Sequence, residues 1–293
     1  MLYRTSGKQL NIGIQTPIVI QTPGGHARWE EDASIEDLRE IAITADRLGY
    51  HHLTCSEHVA VPADAAEIRG AVYWDPVATL SWIAASTSEI RLASNVVVLG
   101  YHHPAELLKA YGTIDRLSGG RVVLGVGVGT LREEFDLLDA EFAGRGDRAD
   151  EALRAIRAGW GRHSVEHSGD HYRYGPVIVE PHAPRETVRI WVGGSTRRSL
   201  RRAVELADGW TPFGIPTRAL SSMLGECDLP EGFEVVIGPP RPLDPIGDTE
   251  SIRTALDDLA TAGVTGLHAA FVHRSRQHYL DQLAALADLV AST

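Results

Sequence analysis

Residues 121–129, Arg-Val-Val-Leu-Gly-Val-Gly-Val-Gly, decide the fold of this chain. The unbroken apolar first half is typical of a strand that is buried on both faces, as in parallel sheets. The second half places Gly125, Gly127 and Gly129 at alternate positions, so one face of the strand carries no side chains. We therefore predict a backbone surface against which a ligand lies, or alternatively close packing against a neighbouring helix.

Strand-like and helix-like segments alternate along the whole chain. Eight segments have the composition of strands: residues 10–15, 51–56, 90–99, 122–128, 188–192, 209–213, 233–237 and 266–272. Helical patterns lie at residues 34–49, 104–117, 148–160, 198–207, 249–262 and 277–290. We predict an α/β fold of the (β/α)8 TIM-barrel class in one domain, residues 1–293, with a doubly wound open sheet as the alternative.

The clearest helical pattern covers residues 34–49. Its apolar stripe consists of Ile35, Leu38, Ile41, Ala42, Ala45 and Leu48. Ser34 is placed to cap the first turn with Asp37 at the third helical position, and Gly49 is placed to end the helix.

Residues 163–182 interrupt the alternation and have the pattern of a β-hairpin. We predict a turn at Gly169-Asp170 and an insertion after the fourth helix, outside the barrel strands. His163, His167 and His171 are spaced by four, but a hairpin does not bring such side chains together as a helix would. We therefore expect surface histidines and no metal site.

Composition sets limits on the function. Of 293 residues, 43% are hydrophobic and 23% are charged, which is the balance of an ordinary globular protein. The formal net charge of −11 argues against general nucleic-acid binding. The 2 cysteines are too few for a disulfide framework, and no apolar run approaches the roughly 20 residues of a membrane span. Because the first residues lack a signal-peptide core, we expect a cytoplasmic protein.

Unusual residues stand where several predicted strands end, which is where barrels of this class carry their chemistry. The second strand ends at Glu57 and His58, a carboxylate beside an imidazole. The third strand contains a polar residue, Asn95, inside an apolar run. The fifth strand enters a helix through Gly193-Gly194-Ser195, where free backbone N–H groups favour an anion, although a plain tight turn has the same composition.

Four arginines, Arg197, Arg198, Arg201 and Arg202, crowd the start of the helix that follows the fifth strand. The helix dipole disfavours cations at this end, so the placement is better explained if an anion binds there. The alternative is a solvated arginine face whose aliphatic stems pack on neighbouring residues.

These motifs resemble those of the luciferase-like monooxygenase superfamily, and within it the reductases that use the deazaflavin coenzyme F(420). The resemblance extends from about residue 9 to residue 213. It is carried by Ser56-Glu57-His58, Tyr73-Trp74-Asp75-Pro76, Asp115-Arg116-Leu117-Ser118-Gly119-Gly120-Arg121, Gly125-Val126-Gly127-Val128-Gly129, Arg132-Glu133-Glu134-Phe135, Tyr172-Arg173-Tyr174, Ile190-Trp191-Val192-Gly193-Gly194 and Asp208-Gly209-Trp210. Because so many motifs occur in one order, the resemblance is specific.

The resemblance implies a barrel that holds a flavin or deazaflavin at its mouth. His58 matches a histidine that lies near the reactive ring and assists proton movement, which suits an imidazole near neutral pH. Glu57 matches a position that contacts the cofactor. The bond between Asn95 and Val96 matches a non-prolyl cis peptide that backs the ring, and Val98 belongs to the same cofactor-binding segment.

Two further segments match the phosphate-binding loops of the family. They are Gly127, Val128 and Gly129, and then Gly193, Gly194, Ser195, Thr196 and Arg197. The chain departs from the sugar-phosphate dehydrogenases of the family at Thr130, where those enzymes have a glutamate that serves as a base. Threonine is no base at neutral pH, so reduction of a substrate is at least as well supported as oxidation of an alcohol.

The cofactor has two candidates. FMN-dependent members share the barrel, the histidine and the phosphate loops, and reduced FMN with O2 would make the protein a monooxygenase. Deazaflavin has carbon at the reactive ring position, so it transfers hydride and hardly activates oxygen. The motifs around residues 115–129 and the arginine cluster, which suits an acidic cofactor tail, favour coenzyme F(420).

A second alternative is a non-catalytic flavin-binding relative, which the retention of Glu57 and His58 disfavours. As partners we expect a small organic substrate, a second copy of the chain in a homodimer, and a separate flavin or deazaflavin reductase that supplies reduced cofactor. The sequence does not name the substrate, and we expect no nucleic acid or membrane partner.

Overall fold

A closed barrel of parallel strands forms the centre of the computed structural model of the chain, which describes residues 1–5 and 7–292. The strands are β1 (Leu2–Thr5), β2 (Lys8–Gln15), β3 (Ile20–Gln21), β4 (His52–Cys55), β5 (Val72–Tyr73), β6 (Arg91–Ser94), β7 (Val97–Val98), β8 (Val122–Gly127), β9 (Ser164–Ser168), β10 (Arg173–Ile178), β11 (Arg189–Gly193), β12 (Gly209–Thr211), β13 (Glu234–Ile237) and β14 (Gly266–Ala269). The helices are α1 (Ile35–Arg47), α2 (Ala66–Arg69), α3 (Pro76–Ala84), α4 (Pro104–Leu117), α5 (Arg132–Leu137), α6 (Arg145–Gly159), α7 (Arg197–Leu206), α8 (Thr217–Gly225), α9 (Thr249–Thr261) and α10 (Arg276–Ala291), with short 3-10 turns at Arg28–Asp32 and Leu99–Tyr101.

Eight strands pair in parallel around the barrel, in the order β2, β4, β6, β8, β11, β12, β13 and β14. The ring closes because β2 pairs with β14 on one side and with β4 on the other. Each of these strands falls within, or overlaps, one of the eight predicted segments. The (β/α)8 prediction is therefore confirmed, and closure excludes the doubly wound open sheet.

The helices outside the barrel agree with the predicted ones in six places, and α2, α3, α5 and α8 are additional. The sequence did not indicate α3 because its residues are apolar on nearly every side, so no amphipathic stripe marks it. In α1, Ser34 and Asp37 form the predicted capping box, and most of the predicted stripe is buried. Ile35 departs from that prediction, since it is 43% exposed in the first turn. Within the described ranges, no helix is long and apolar enough to cross a membrane.

The third barrel strand differs from the single predicted segment. It is divided into β6 and β7 by Asn95 and Val96, whose peptide bond is cis. The expected cis peptide is therefore confirmed. β7 resumes pairing with β8, so the interruption is a local bulge in the wall of the barrel.

This bulge explains the alternate glycines of β8. A Cβ atom at Gly125 would overlap the carbonyl oxygen of Ser94, and one at Gly127 would lie 2.7 Å from a methyl group of Val96. The face of β8 that lacks side chains at Gly125 and Gly127 thus packs against the bulge of the neighbouring strand. At Gly125 and Gly127 the bulge occupies this space, whereas at Gly129 it is occupied by Val98 and by Phe135 of α5. Gly127 and Gly129 also line a cavity, so the predicted ligand surface stays a prediction.

The hairpin β9–β10 lies between α6 and β11, so the predicted insertion after the fourth barrel helix is present. Its turn lies one residue later than predicted. The N–H of Gly169 donates to the carbonyl oxygen of Tyr172, so Asp170 and His171 are the central residues of the turn. The cause is the carboxylate of Glu151 on α6, which accepts backbone N–H groups from residues 170, 171 and 172. A Cβ atom at Gly169 would overlap this carboxylate, so glycine is needed there.

The histidines of the hairpin are not all on the surface as predicted. His163 and His171 are exposed, whereas the side chain of His167 is 16% exposed and bonds to Glu151. His163 and His182 both contact the carboxylate of Glu180. One atom from each of these three residues could bind a metal ion, and these atoms lie within 4.8 Å of one another. The sequence did not indicate this exposed group because its members converge only when the two strands pair.

Candidate active site

A cavity of about 480 Å³ opens at the carboxyl ends of the barrel strands. Ten of the predicted site residues line it together: Glu57, His58, Asn95, Val96, Val98, Gly127, Val128, Gly129, Gly193 and Gly194. They come from four different barrel strands and the loops that follow them. The parallel arrangement causes this convergence, because it brings the carboxyl ends of all strands to one face.

Three predicted cofactor-binding residues do not line this cavity. Ser195 is exposed, and the Thr196 hydroxyl caps α7 by accepting from the backbone N–H of Ser199. Arg197 is 65% exposed and makes two hydrogen bonds of 2.8 Å to Glu226. Their role toward a cofactor stays a prediction.

The arginine cluster at the start of α7 is neutralised by the protein itself. Besides the pair with Glu226, Arg198 bonds to Asp147 and Arg202 bonds to Asp150, both on α6. These carboxylates supply the negative charge that the helix dipole and the arginines require. The placement of these arginines therefore does not require a bound anion, and anion binding beside them stays a prediction.

His58 is held by a buried carboxylate that the sequence did not assign to the site. Its Nδ1 lies 2.7 Å from Glu134 Oε2, and its ring packs edge-on to Tyr73 with centroids 4.4 Å apart. Because a carboxylate only accepts, the neutral imidazole donates from Nδ1. Among the described residues, none bonds to Nε2, and this nitrogen is therefore available at the cavity wall.

Glu134 is fixed by four donors. Besides His58, the Tyr101 hydroxyl donates to it at 3.0 Å, and the backbone N–H groups of Val59 and Ala60 donate to its other oxygen. Burial alone would raise the pKa of Glu134, but the bonds from His58 and Tyr101 outweigh it and lower that pKa. Glu134 therefore remains an anion that orients His58.

A sequence signal for Glu134 does exist. Leu131, Phe135 and Leu138 are spaced as one apolar face of a helical turn, and Glu134 falls on that same face. Leu131 and Phe135 are buried, and Glu134 is buried with them. The adjacent Glu133 points away and is exposed. A carboxylate on an apolar stripe indicates a buried partner, here His58.

Replacing Glu134 with glutamine is expected to lower the free energy of unfolding by about 1–3 kcal/mol, because the amide cannot accept from all four donors and leaves some buried and unpaired. Urea denaturation of the purified protein measures this change. Glu133→Gln is the matched control and should change stability by less than about 0.5 kcal/mol. Equal effects of the two substitutions would contradict the role given to Glu134.

Glu57 lines the cavity, but both its oxygens have protein partners. Oε2 accepts from the backbone N–H of Val98 at 2.7 Å, and Oε1 bonds to His102 Nε2 at 2.7 Å. Burial would lower the pKa of His102, yet the bond to Glu57 and its charge raise it. Glu57 thus anchors the segment after the bulge, and its predicted contact with a cofactor stays a prediction.

A chain of histidines leads from the cavity into the barrel interior. Thr211 and His268 line the cavity beside Asn95, and their side chains lie 3.1 Å apart between Oγ1 and Nε2. His268 Nδ1 lies 2.7 Å from His52 Nε2, and His52 Nδ1 lies 2.9 Å from His51 Nδ1. Burial lowers the pKa of His268 to about 3 and that of His52 well below its usual value.

Because these two imidazoles are neutral in the folded protein, we expect the free energy of unfolding to fall in mild acid. Below about pH 6.5 the unfolded chain gains protons at His52 and His268, whereas the folded protein keeps both rings neutral. Unfolding free energy is therefore expected to fall as pH drops from about 6.5 toward 3, by up to about 1.4 kcal/mol per pH unit for each histidine. Urea denaturation at several pH values should show a shallower slope for His268→Gln; an unchanged slope would contradict the assignment.

Two glycines at the rim of the cavity have backbone angles that side chains disfavour. Gly129 has φ of 75° and Gly194 has φ of 122°. A Cβ atom at Gly129 would also lie 2.7 Å from Phe135 and Val98. The chain can turn away from β8 and enter α7 in this way only because these positions are glycine.

Several solved structures superpose on nearly the whole chain. A monooxygenase from Streptomyces bottropensis superposes with a TM-score of 0.78 at 22% identity, covering 97% of this chain and 99% of that one. A coenzyme F(420)-dependent tetrahydromethanopterin reductase from Methanopyrus kandleri superposes with a TM-score of 0.74 at 14% identity, over 97% and 99% of the chains. At these identities the likeness shows a shared fold.

Sequence comparison then identifies the family. The family described as luciferase-like monooxygenase matches residues 10–226, and the chain belongs to this family. An uncharacterized protein of Mycobacterium tuberculosis is 29% identical over 186 residues, 59% of this chain and 64% of the relative. Another protein of that organism, named as a candidate coenzyme F(420)-dependent oxidoreductase, is 31% identical over 172 residues, 54% of this chain and 49% of the relative. The chain thus matches less than two thirds of the length of either relative.

Proposed function

We propose that this protein is an oxidoreductase that transfers a hydride between coenzyme F(420) and a small organic substrate. The observation that carries the proposal is the pair of His58 and Glu134 at the wall of the cavity. The carboxylate fixes the tautomer of His58, which leaves Nε2 as a proton acceptor or donor for a reacting molecule. Family membership and the named Mycobacterium tuberculosis relative support the same class of reaction.

The cavity suits a planar redox cofactor. Its volume of about 480 Å³ lies within the range of ordinary cofactor and ligand sites, roughly 300–1,000 Å³. The backbone of Asn95 and Val96 would support the ring system, and the glycines at 127, 129, 193 and 194 line the same cavity without side chains of their own. When bound, coenzyme F(420) would supply or accept the hydride.

The residues of the chain would then manage binding and the proton. His58 Nε2 would give or take the proton that accompanies hydride movement, while Glu134 accepts from Nδ1–H throughout and keeps the ring in place. Thr130 lines the cavity where a glutamate base stands in the sugar-phosphate dehydrogenases of the family, so we favour reduction of a substrate. Ile20, Tyr73 and Phe213 give the wall an apolar character, which suits an apolar or planar substrate.

A binding titration tests the cofactor. We expect F(420) to bind the purified protein in the low micromolar range or tighter, and more tightly than FMN, as measured by absorbance and fluorescence changes of each cofactor. Tighter binding of FMN would overturn the assignment.

The FMN-dependent monooxygenase is the second candidate, because the Streptomyces bottropensis monooxygenase shares the fold over nearly the whole chain. Consumption of O2 by the protein with reduced FMN and an organic substrate would favour it. Tight cofactor binding without turnover on any oxidant or reductant would favour the non-catalytic relative.

A further inference from the structure

The interior of the barrel contains a continuous row of polar side chains where barrels of this class normally have packed apolar layers. His52 is fully buried and His268 is 3% exposed. Around them lies an apolar cluster of Ala93, Val123, Trp191 and Val236. Gly13 makes room for the row, because a Cβ atom there would overlap the ring of His52.

We propose that His51, His52, His268 and Thr211 form a proton relay that connects solvent at the amino-terminal face of the barrel with the floor of the cavity. The relay rests on the proposed oxidoreductase function, because hydride transfer to or from an organic substrate is accompanied by gain or loss of a proton. His58 lies at the wall of the cavity, whereas Thr211 and the bulge residue Asn95 lie at its floor.

Both ends of the row have the access that a relay requires. His51 immediately precedes β4, at the amino-terminal face, and is partly exposed. Its Nε2 has no hydrogen-bond partner among residues 1–5 and 7–292 and is not among the buried unpaired atoms, so it meets solvent. At the other end, Thr211 is the last residue of β12, and its hydroxyl can donate to Asn95 Oδ1 at 3.4 Å.

All hydrogen bonds of the row can form in either of two arrangements, in which the donors point in opposite directions along the row. In the first, His51 donates from Nδ1 to His52, His52 donates from Nε2 to His268, and His268 donates from Nε2 to Thr211. In the second direction, each donor becomes an acceptor, and Thr211 donates to His268. A neutral imidazole has one N–H and one bare nitrogen, so both arrangements leave every ring neutral.

Passing one proton converts the first arrangement into the second. A basic atom of a bound molecule takes the hydroxyl proton of Thr211, and Thr211 takes the Nε2 proton of His268. His268 Nδ1 then takes the proton of His52 Nε2, His52 Nδ1 takes that of His51 Nδ1, and His51 Nε2 takes one from water. One proton is gained by the bound molecule and one is lost by solvent. Because burial lowers the pKa of both interior rings, transfer through neutral tautomers is favoured over a trapped imidazolium.

Solvent exchange of the ring N–H protons tests the relay without any turnover. We would measure it by nitrogen-15 NMR on histidine-labelled protein, free and with the cavity filled by F(420) or FMN. For the wild type we expect exchange at His52 and His268 that is little changed by the ligand. His51→Asn keeps a side chain near Nδ1 but cannot pass a proton through it, and we expect exchange at both rings to slow at least tenfold.

Thr211→Val is the matched substitution at the other end. It should leave exchange at His52 unchanged, because protons enter from the opposite face, while circular dichroism and the melting temperature verify that both variants fold. Exchange that is slowed by Thr211→Val or by ligand, but not by His51→Asn, would overturn the relay by showing that protons enter through the mouth. Failure of both cofactors to bind, with exchange still slowed in His51→Asn, would instead reject the proposed function and leave the relay standing.

Discussion

Replacing His58 with alanine is expected to slow turnover by about 10²–10⁴-fold, which corresponds to roughly 3–5 kcal/mol of transition-state stabilisation. Alanine removes the Nε2 atom at the cavity wall and leaves Glu134 without one of its donors. Cofactor binding should weaken only modestly, because the backbone of the bulge and the rim glycines remain. Steady-state rates with a substrate found by screening nitroaromatics, enones, imines and alcohols measure the effect.

His58→Asn is the informative control for this prediction. Its amide can still donate to Glu134, so folding and cofactor affinity should be recovered. It cannot shuttle a proton at neutral pH, so the rate should remain low. Turnover of His58→Ala within a few-fold of the wild type would remove the proton-transfer role and leave His58 as a residue that only positions the ring.

Gly193→Val is expected to weaken cofactor binding by roughly 5–150-fold, because the cofactor would have to bind against an overpacked wall at a cost of about 1–3 kcal/mol. A Cβ atom at Gly193 would lie 3.0 Å from a methyl group of Val96 and 3.5 Å from the carbonyl oxygen of Val126. The branched side chain must therefore displace the bulge or enter the cavity beside it. Titration with F(420) and FMN measures the loss.

Gly225→Val is the matched control, because a Cβ atom at this last residue of α8 meets open space and the position does not line the cavity. We expect it to bind cofactor like the wild type. Melting temperatures of both variants separate loss of affinity from loss of folding. A folded Gly193→Val protein with unchanged affinity would show that the loop after β11 is only a turn.

The positions of the eight barrel strands could be predicted from local pattern, because short apolar runs bounded by polar turns have few alternatives. The residues at their carboxyl ends could be grouped into one site for the same reason, since a parallel barrel brings those ends together. The sequence did less well where a partner is distant along the chain. In the sequence, Arg198 and Arg202 lie in a cluster of arginines at the start of a helix, so they indicated a bound anion. Their partners Asp147 and Asp150 face them only after α6 and α7 pack together.

By itself, the sequence determined the barrel, the hairpin insertion and the family, since each depends on periodicity or on motifs that lie within one segment. Only the tertiary structure decided that the glycines of β8 receive the bulge at Asn95 and Val96, that Glu134 orients His58, and that His52 meets His268 inside the barrel. The physical reason is that burial and hydrogen bonding are properties of pairs. Glu134 and His58 are 76 residues apart, and His52 and His268 are 216 residues apart, so neither local pattern contains the partner that gives the side chain its role.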